Sequence, residues 1–210
     1  MATPGVSVQL NVASEITRVT ALMQSTPEQI TKAANRAIKK TVRWLQSRVA
    51  REISQSLNLS QKAFKHRLTT SSSGSGINQV HIVWLGVAPL AAEAAGKPRQ
   101  TRAGVTVGKR KYQGAFYRDV YGDGASVWIR KRRAADLGLN LPSWSGKSTA
   151  RRSTWLDDSQ NSGRFPVMRV AIDIEEVASE IFRRYQRRIN ERFGQVLAQE
   201  LNFVLNHEGR

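Results

Sequence analysis

Residues 97–133 constrain the fold of this chain more than any other segment. They read K-P-R-Q-T-R-A-G-V-T-V-G-K-R-K-Y-Q-G-A-F-Y-R-D-V-Y-G-D-G-A-S-V-W-I-R-K-R-R. Glycines punctuate the segment every few residues and mark turns rather than a helix. Between them stand short runs rich in β-branched and aromatic residues, at 104–108, 115–121 and 126–131, which predict three strands. Tyr121-Gly122-Asp123-Gly124 predicts the turn of a hairpin joining the last two.

The flanks carry different periods. Val6, Val8, Leu10 and Val12 alternate with polar residues and predict a strand, after which Ser14 is placed to cap a short helix with Ile16, Val19 and Leu22. Ser25-Thr26-Pro27-Glu28 is a helix start, with a hydroxyl cap, proline in the first turn and an acid behind it. Ile30, Ala34, Ala37, Ile38, Val42, Leu45, Val49 and Ile53 then recur at three- and four-residue steps. They predict an amphipathic helix over 31–54, roughly 36 Å long. A shorter helix is expected over 61–68, a flexible polar linker over 69–76, a strand over 79–86 and a loop over 88–96. After a last strand at 167–172, a second long stripe runs through Ile174, Val177, Ile181, Tyr185, Ile189, Phe193, Val196, Leu197, Leu201 and Val204. That helix, roughly 48 Å long, exceeds what a small sheet covers, so it should also touch a neighbouring subunit or the first long helix. The expected fold is α+β: an antiparallel sheet with two long amphipathic helices packed on one face, plus a long loop insertion. The expected organisation is one domain over 1–210, with an N-terminal strand and helix arm at 1–26 and the insertion at 134–165.

Charge narrows the function. The 210 residues include 33 Lys and Arg against 16 acids, a formal net charge of +17, which predicts an anionic neighbour. The chain has no cysteine, which removes disulfides, thiolate catalysis and cysteine-based zinc sites. Residues 1–5 lack the basic and apolar regions of a signal peptide, and no apolar run approaches the ~20 residues of a membrane span. The reading is therefore a protein made in the cytoplasm, without a membrane partner.

Catalytic chemistry finds little support. His66, His81 and His207 lack metal-ligand spacing. Gly146-Lys147-Ser148-Thr149 resembles the end of a phosphate-binding loop, but the position of that loop's first glycine is Leu141. Asp119, Asp123, Asp157 and Asp158 form no motif that would bring nuclease carboxylates to one point. No enzyme activity, cofactor, metal or small-molecule substrate is expected. The basic clusters are the candidate site: Arg99, Arg102, Lys109, Arg110 and Lys111, then Arg130, Lys131, Arg132 and Arg133, with Arg151 and Arg152 beyond. Tyr112, Phe116, Tyr117 and Trp128 are interleaved with them. Such a surface suits sequence-nonspecific contact with a DNA backbone, and equally suits docking on an acidic protein ring.

A family resemblance bears on that choice. Arg99-Gln100-Thr101-Arg102-Ala103-Gly104, the run Gly104-Val105-Thr106-Val107-Gly108-Lys109-Arg110, and Gly114-Ala115-Phe116 resemble the minor tail protein Z family of lambda-like long-tailed phages. Arg164-Phe165-Pro166-Val167, leading into an acid-started, Arg-rich terminal helix, extends the likeness. It covers most of the chain from about residue 28 onward. The segment 134–163 is longer than the family suggests, and 88–97 is alanine-rich where an aromatic or basic residue often stands. The resemblance implies a structural virion protein at the head-proximal end of a tail. It implies a ring, usually of six copies, that completes the tail and joins it to the capsid connector. Its partners would be other copies of itself, adjacent tail-tube or terminator and connector rings, and the DNA terminus in the channel. The runner-up is a basic, sequence-nonspecific DNA-binding protein.

Overall fold

The computed structural model describes residues 4–21, 25–74, 79–120, 122, 124–139, 141 and 167–207. They form two compact units: Met1–Ser56, Lys65–Gly86 and Glu176–Arg210 make the first, Leu57–Phe64 and Val87–Glu175 the second. The architecture is α+β, with antiparallel sheets and long helices packed on a sheet.

In the first unit, β1 (Gly5–Asn11), β3 (Val80–Gly86) and β2 (Leu68–Ser73) form an antiparallel sheet in the order β1-β3-β2. Val8 pairs with Val83, which pairs with Thr70, so one face carries the buried side chains Val8, Leu10, Val83 and Leu85. The short helix α1 (Ala13–Thr20) buries Ile16 and Val19. The expected Ser14 cap is not used. Helix α1 begins two residues earlier than a Ser14 cap would place it, and the Asn11 side chain instead accepts the Ala13 N–H at 3.2 Å.

Helix α2 (Pro27–Leu57) opens on a reciprocal cap: Gln29 N–H donates to Thr26 Oγ1 and Thr26 N–H donates to Gln29 Oε1. It ends at Asn58, whose left-handed φ of 48° leaves the helical path. Helix α4 (Glu175–His207) starts where Asp173 Oδ1 accepts the Glu175 N–H at 2.8 Å, and acids in that first turn suit the helix dipole. The predicted stripes are the buried faces: Leu45, Val49 and Ile53 of α2 and Ile189, Phe193 and Leu197 of α4 are almost wholly buried. Each such side chain contributes about 1.5–3 kcal/mol.

The two helices run antiparallel, with Lys40 paired to Glu200 near one end and Arg184 to Glu52 near the other. Between them the Trp44 and Tyr185 rings meet edge-on at 5.6 Å. The length of the second helix is thus matched by the first. The ends of the Glu15 and Arg18 side chains of α1 lie over Gly194 of α4, where a Cβ would come within 2.7 Å of Glu15 Oε2.

Two expectations fail in this region. The expected helix over 61–68 is instead two 3₁₀ turns, Gln61–Ala63 and Lys65–Arg67, followed by the first residue of β2, Leu68. Residues 69–73 are strand, not linker: β2 pairs with β3 from Leu68↔Leu85 to Ser73↔Val80. Strand pairing is made by the backbone, so a neighbour with free edge groups recruits a Ser/Thr run regardless of its polarity.

The second unit contains three small sheets. Strands β5 (Pro98–Thr101), β6 (Gly104–Val107) and β7 (Arg110–Gln113) form an antiparallel meander. Strand β9 (Ser126–Arg130) sits between β8 (Phe116–Arg118) and β10 (Val167–Arg169), while β4 (Leu90–Ala91) pairs with β11 (Ala171–Ile172). Val105, Val107, Val127, Ile129, Ala134 and Val170 form the core. The expected strand at 167–172 is therefore two. At Val170 the chain changes sheets, donating to Val127 O and accepting from Ala92 N. The expected loop at 88–96 holds β4 and a 3₁₀ turn, Ala92–Ala95. Strands β5 and β7 lie where no strand was expected, because basic residues mask their alternation. Lys131 does not extend β9; it opens a short helix, α3 (Lys131–Asp136), at the start of the stretch expected to be a loop insertion. The rest of that insertion, from 142 to 165, with Arg151 and Arg152, the segment 146–149 and Asp157 and Asp158, lies outside the described residues.

Candidate functional site

The nine basic residues singled out from the sequence all fall in the second unit, but the backbone sorts them into different roles. In the β5-β6-β7 meander, Arg99 pairs with Thr106 and Thr106 with Lys111. Directly opposed residues share a face, so Arg99 and Lys111 flank Thr106 on one side of the sheet. With strands about 4.8 Å apart, their backbones are about 10 Å apart. The next row, Gln100–Val105–Tyr112, points the other way, and Val105 and Val107 on that face are buried. The Arg99–Thr106–Lys111 face is therefore the solvent face, and both cations are exposed.

Arg110 is the exception within the cluster. It shares the core-side face with Pro98 and Val107, is half-buried, and donates from Nη2 to the Leu57 carbonyl at 3.0 Å. That carbonyl belongs to the last residue of α2, so Arg110 satisfies one of the helix's free C-terminal acceptors. Beside it, burial raises the Tyr112 hydroxyl above the usual tyrosine value, and the Arg110 charge partly opposes this. Arg110 is thus a structural tie rather than part of the exposed surface. Lys109 sits in the β6–β7 turn, with Nζ 3.5 Å from Asn58 Oδ1.

Arg102 occupies the opposite turn, between β5 and β6. Gly104 there has φ of 154°, and a Cβ would lie 2.1 Å from the Tyr112 carbonyl. Only glycine allows β6 and β7 to close at this point. The second cluster joins at the same end. Gln113 pairs with Gly104, and Gly114, which follows it, lies under the Arg133 side chain, whose Cγ would be 2.9 Å from a Cβ at Gly114. Arg130 ends β9, while Lys131, Arg132 and Arg133 form the first turn of α3. Three cations at that end oppose the helix dipole. Among the described residues, none of Arg99, Arg102, Lys111, Arg130, Lys131 or Arg132 has an ion-pair partner.

Asp119 accepts the Gly122 and Gly124 N–H groups at 2.6 and 3.2 Å, so it holds the β8–β9 turn. Asp123, like Asp157 and Asp158, lies outside the described residues. His81 bonds Gln79 Oε1 at 3.1 Å, and burial lowers its pKa from the usual 6.5. The His207 ring lies 5.1 Å from that of Phe203. Among the described residues no group of three His, Asp or Glu could hold a metal ion, and no helix is long and apolar enough to cross a membrane.

Sequence reasoning missed one feature altogether. In the first unit, a groove of about 310 Å³ runs between α2 and the β2 strand, lined by Lys39, Arg43, Thr70, Ser72 and His81 among others. Lys39 and Arg43 stand four residues apart on the helix, a legible spacing. The hydroxyls opposite them became visible only once 68–73 paired as a strand.

No protein-family model, no curated protein and no solved structure matches this chain.

Proposed function

We propose that this chain is a structural virion protein. It forms a ring, of six copies, at the head-proximal end of a phage tail, completes the tail and joins it to the capsid connector. Assembly takes place in the host cytoplasm and the product resides in the virion. One observation carries the reading. Most of the residues that resemble the tail-completion family, those from 99 to 113, form a β-meander with its core side buried and its solvent side cationic. A patch mounted on paired strands has a fixed geometry, which suits a repeated contact with a neighbouring ring. Heterologous head-to-tail contacts between copies would close the ring.

The test is the assembly state of the purified chain, by native mass spectrometry and negative-stain imaging, alone and with tail tubes. A ring with a central hole is expected. A chain that stays monomeric in both conditions overturns the proposal. Arg99→Glu with Lys111→Glu is the variant of choice, because both side chains are on the solvent face, and it should fold but fail to join tails to heads. Arg110 is excluded from that variant, since its loss would disturb the fold.

A second reading, sequence-nonspecific DNA binding, is favoured by the exposed cations that have no acidic partner among the described residues. It requires the isolated chain to bind free duplex with an affinity that falls steeply with salt.

A further inference from the structure

The two edges of the β1-β3-β2 sheet are not alike. At β1, the Gln9 N–H donates to Gln186 Oε1 at 2.8 Å and Gln186 Nε2 donates to the Gln9 carbonyl at 2.9 Å. A side-chain amide of α4 thus occupies the outward backbone groups there and blocks a further strand. The β2 edge has no such cover: among the described residues no strand pairs with its outer side. Its sequence, Leu-Thr-Thr-Ser-Ser-Ser, has none of the charges or prolines that usually protect an edge, and Thr69 to Ser73 are all exposed.

The groove described above lies along this open edge. Thr70 pairs with buried Val83 and Ser72 with His81, so these hydroxyls are on the helix-facing side of the sheet. Ile38 and Val42 of α2 contribute apolar surface, and Lys39 and Arg43 are its cations. Neither cation has an ion-pair partner among the described residues. A strand added about 4.8 Å beyond β2 would direct every second side chain toward this stretch of α2. We propose that the β2 edge and the Lys39–Arg43 flank of α2 form a docking groove for an extended segment of a partner protein with Asp or Glu at alternate positions.

Charge complementarity selects this occupant. A second copy of a chain with net charge +17 is a poor donor of such a segment. A nucleic-acid backbone answers the two cations but not the edge, which presents carbonyl acceptors as well as N–H donors, whereas phosphate oxygens only accept. An added peptide strand satisfies both. The groove is in the first unit, so this inference does not depend on the cationic face of the second.

The experiment uses the full chain and a fluorescein-labelled ten-residue peptide alternating Glu and Thr, read by anisotropy. Three further peptides serve as controls: one alternating Lys and Thr, and two Glu/Thr peptides N-methylated at the odd or the even residues. The Glu/Thr peptide should bind about tenfold or more tightly than its Lys counterpart. One N-methylated form should lose binding, because its donors toward β2 are gone while its charge is unchanged. Lys39→Glu with Arg43→Glu should weaken binding at least about tenfold, with the milder Lys39→Gln and Arg43→Gln pair in between. Both positions are exposed, and unchanged circular dichroism would show that the fold is kept. Three results would each overturn the proposal: no binding of the Glu/Thr peptide, equal binding of both N-methylated forms, or displacement by duplex DNA that depends on the same two cations.

Discussion

Arg110 and Lys111 are adjacent cations, yet replacing them should have opposite consequences. Lys111 is on the solvent side of β7, so Lys111→Glu should change stability by no more than about 0.5 kcal/mol. Arg110 is half-buried and holds the Leu57 carbonyl at 3.0 Å through a charge-assisted bond. Arg110→Met keeps most of the apolar stem but removes that bond, a loss of about 1.5–3 kcal/mol. Arg110→Glu also turns carboxylate oxygens toward a carbonyl, adding a desolvation cost of about 1–3 kcal/mol. The expected order of destabilisation is Arg110→Glu, then Arg110→Met, then Lys111→Glu. The assay is native-state hydrogen exchange read by mass spectrometry on peptides spanning 98–113, with urea unfolding as a second measure. Arg110→Glu should speed exchange of the meander amides about a hundredfold, the equivalent of about 3 kcal/mol. Equal effects at positions 110 and 111 would refute the register-based division of the cluster, as would a harmless Arg110→Glu.

Three other outcomes can be measured with the same methods. Glu52→Ala leaves the buried Tyr185 hydroxyl without its acceptor and should cost about 1.5–3 kcal/mol, whereas Arg184→Ala, which removes a half-exposed ion pair, should cost at most about 1 kcal/mol; urea midpoints that reverse the order would refute this. Gly104→Ala forces a Cβ to within 2.1 Å of a carbonyl at a positive φ and should destabilise the meander by about 2 kcal/mol or more, so an unchanged midpoint would refute the close approach. The Tyr185 hydroxyl is raised above its usual value by burial first, then by the Glu52 carboxylate. A raised folded value means the stabilisation is complete below about pH 10 and is lost as pH climbs through the folded value. Tyr185→Phe should therefore flatten the alkaline fall in stability; an equally steep fall in the variant would sink this assignment.

Local pattern was a good guide wherever one side chain in three or four had to be apolar for its own helix to pack. The stripes from Ile30 to Ile53 and from Ile174 to Val204 marked both long helices, and Thr26 marked the start of the first, whereas the Asp173 cap of the second emerged only from the structure. Alternation located β1, and β-rich apolar runs bounded by turn residues located β3 and β6. Local pattern failed at 68–73, where β2 has no buried apolar face and exists because β3 offers a free edge. It failed also at Val170, where the chain moves between sheets within a single apolar run. The cationic cluster was legible as composition, because counting charges needs no partner.

The sequence by itself determined the α+β class, the two helical stripes and the concentration of positive charge between 97 and 133, since each follows from periodicity or count along the chain. Tertiary structure decided which of those charges face solvent and which sheet edge stays open. Arg110 differs from Lys111 only because β6 pairs with β7 in one register, and β2 rather than β1 is the uncovered edge because Gln186 from a distant helix caps Gln9 of β1 while no described strand pairs with the outer side of β2. Both depend on contacts between residues far apart in the chain, one between backbone groups that every residue carries and the other between a side-chain amide and a strand it meets only in the folded state, so local pattern leaves them undetermined.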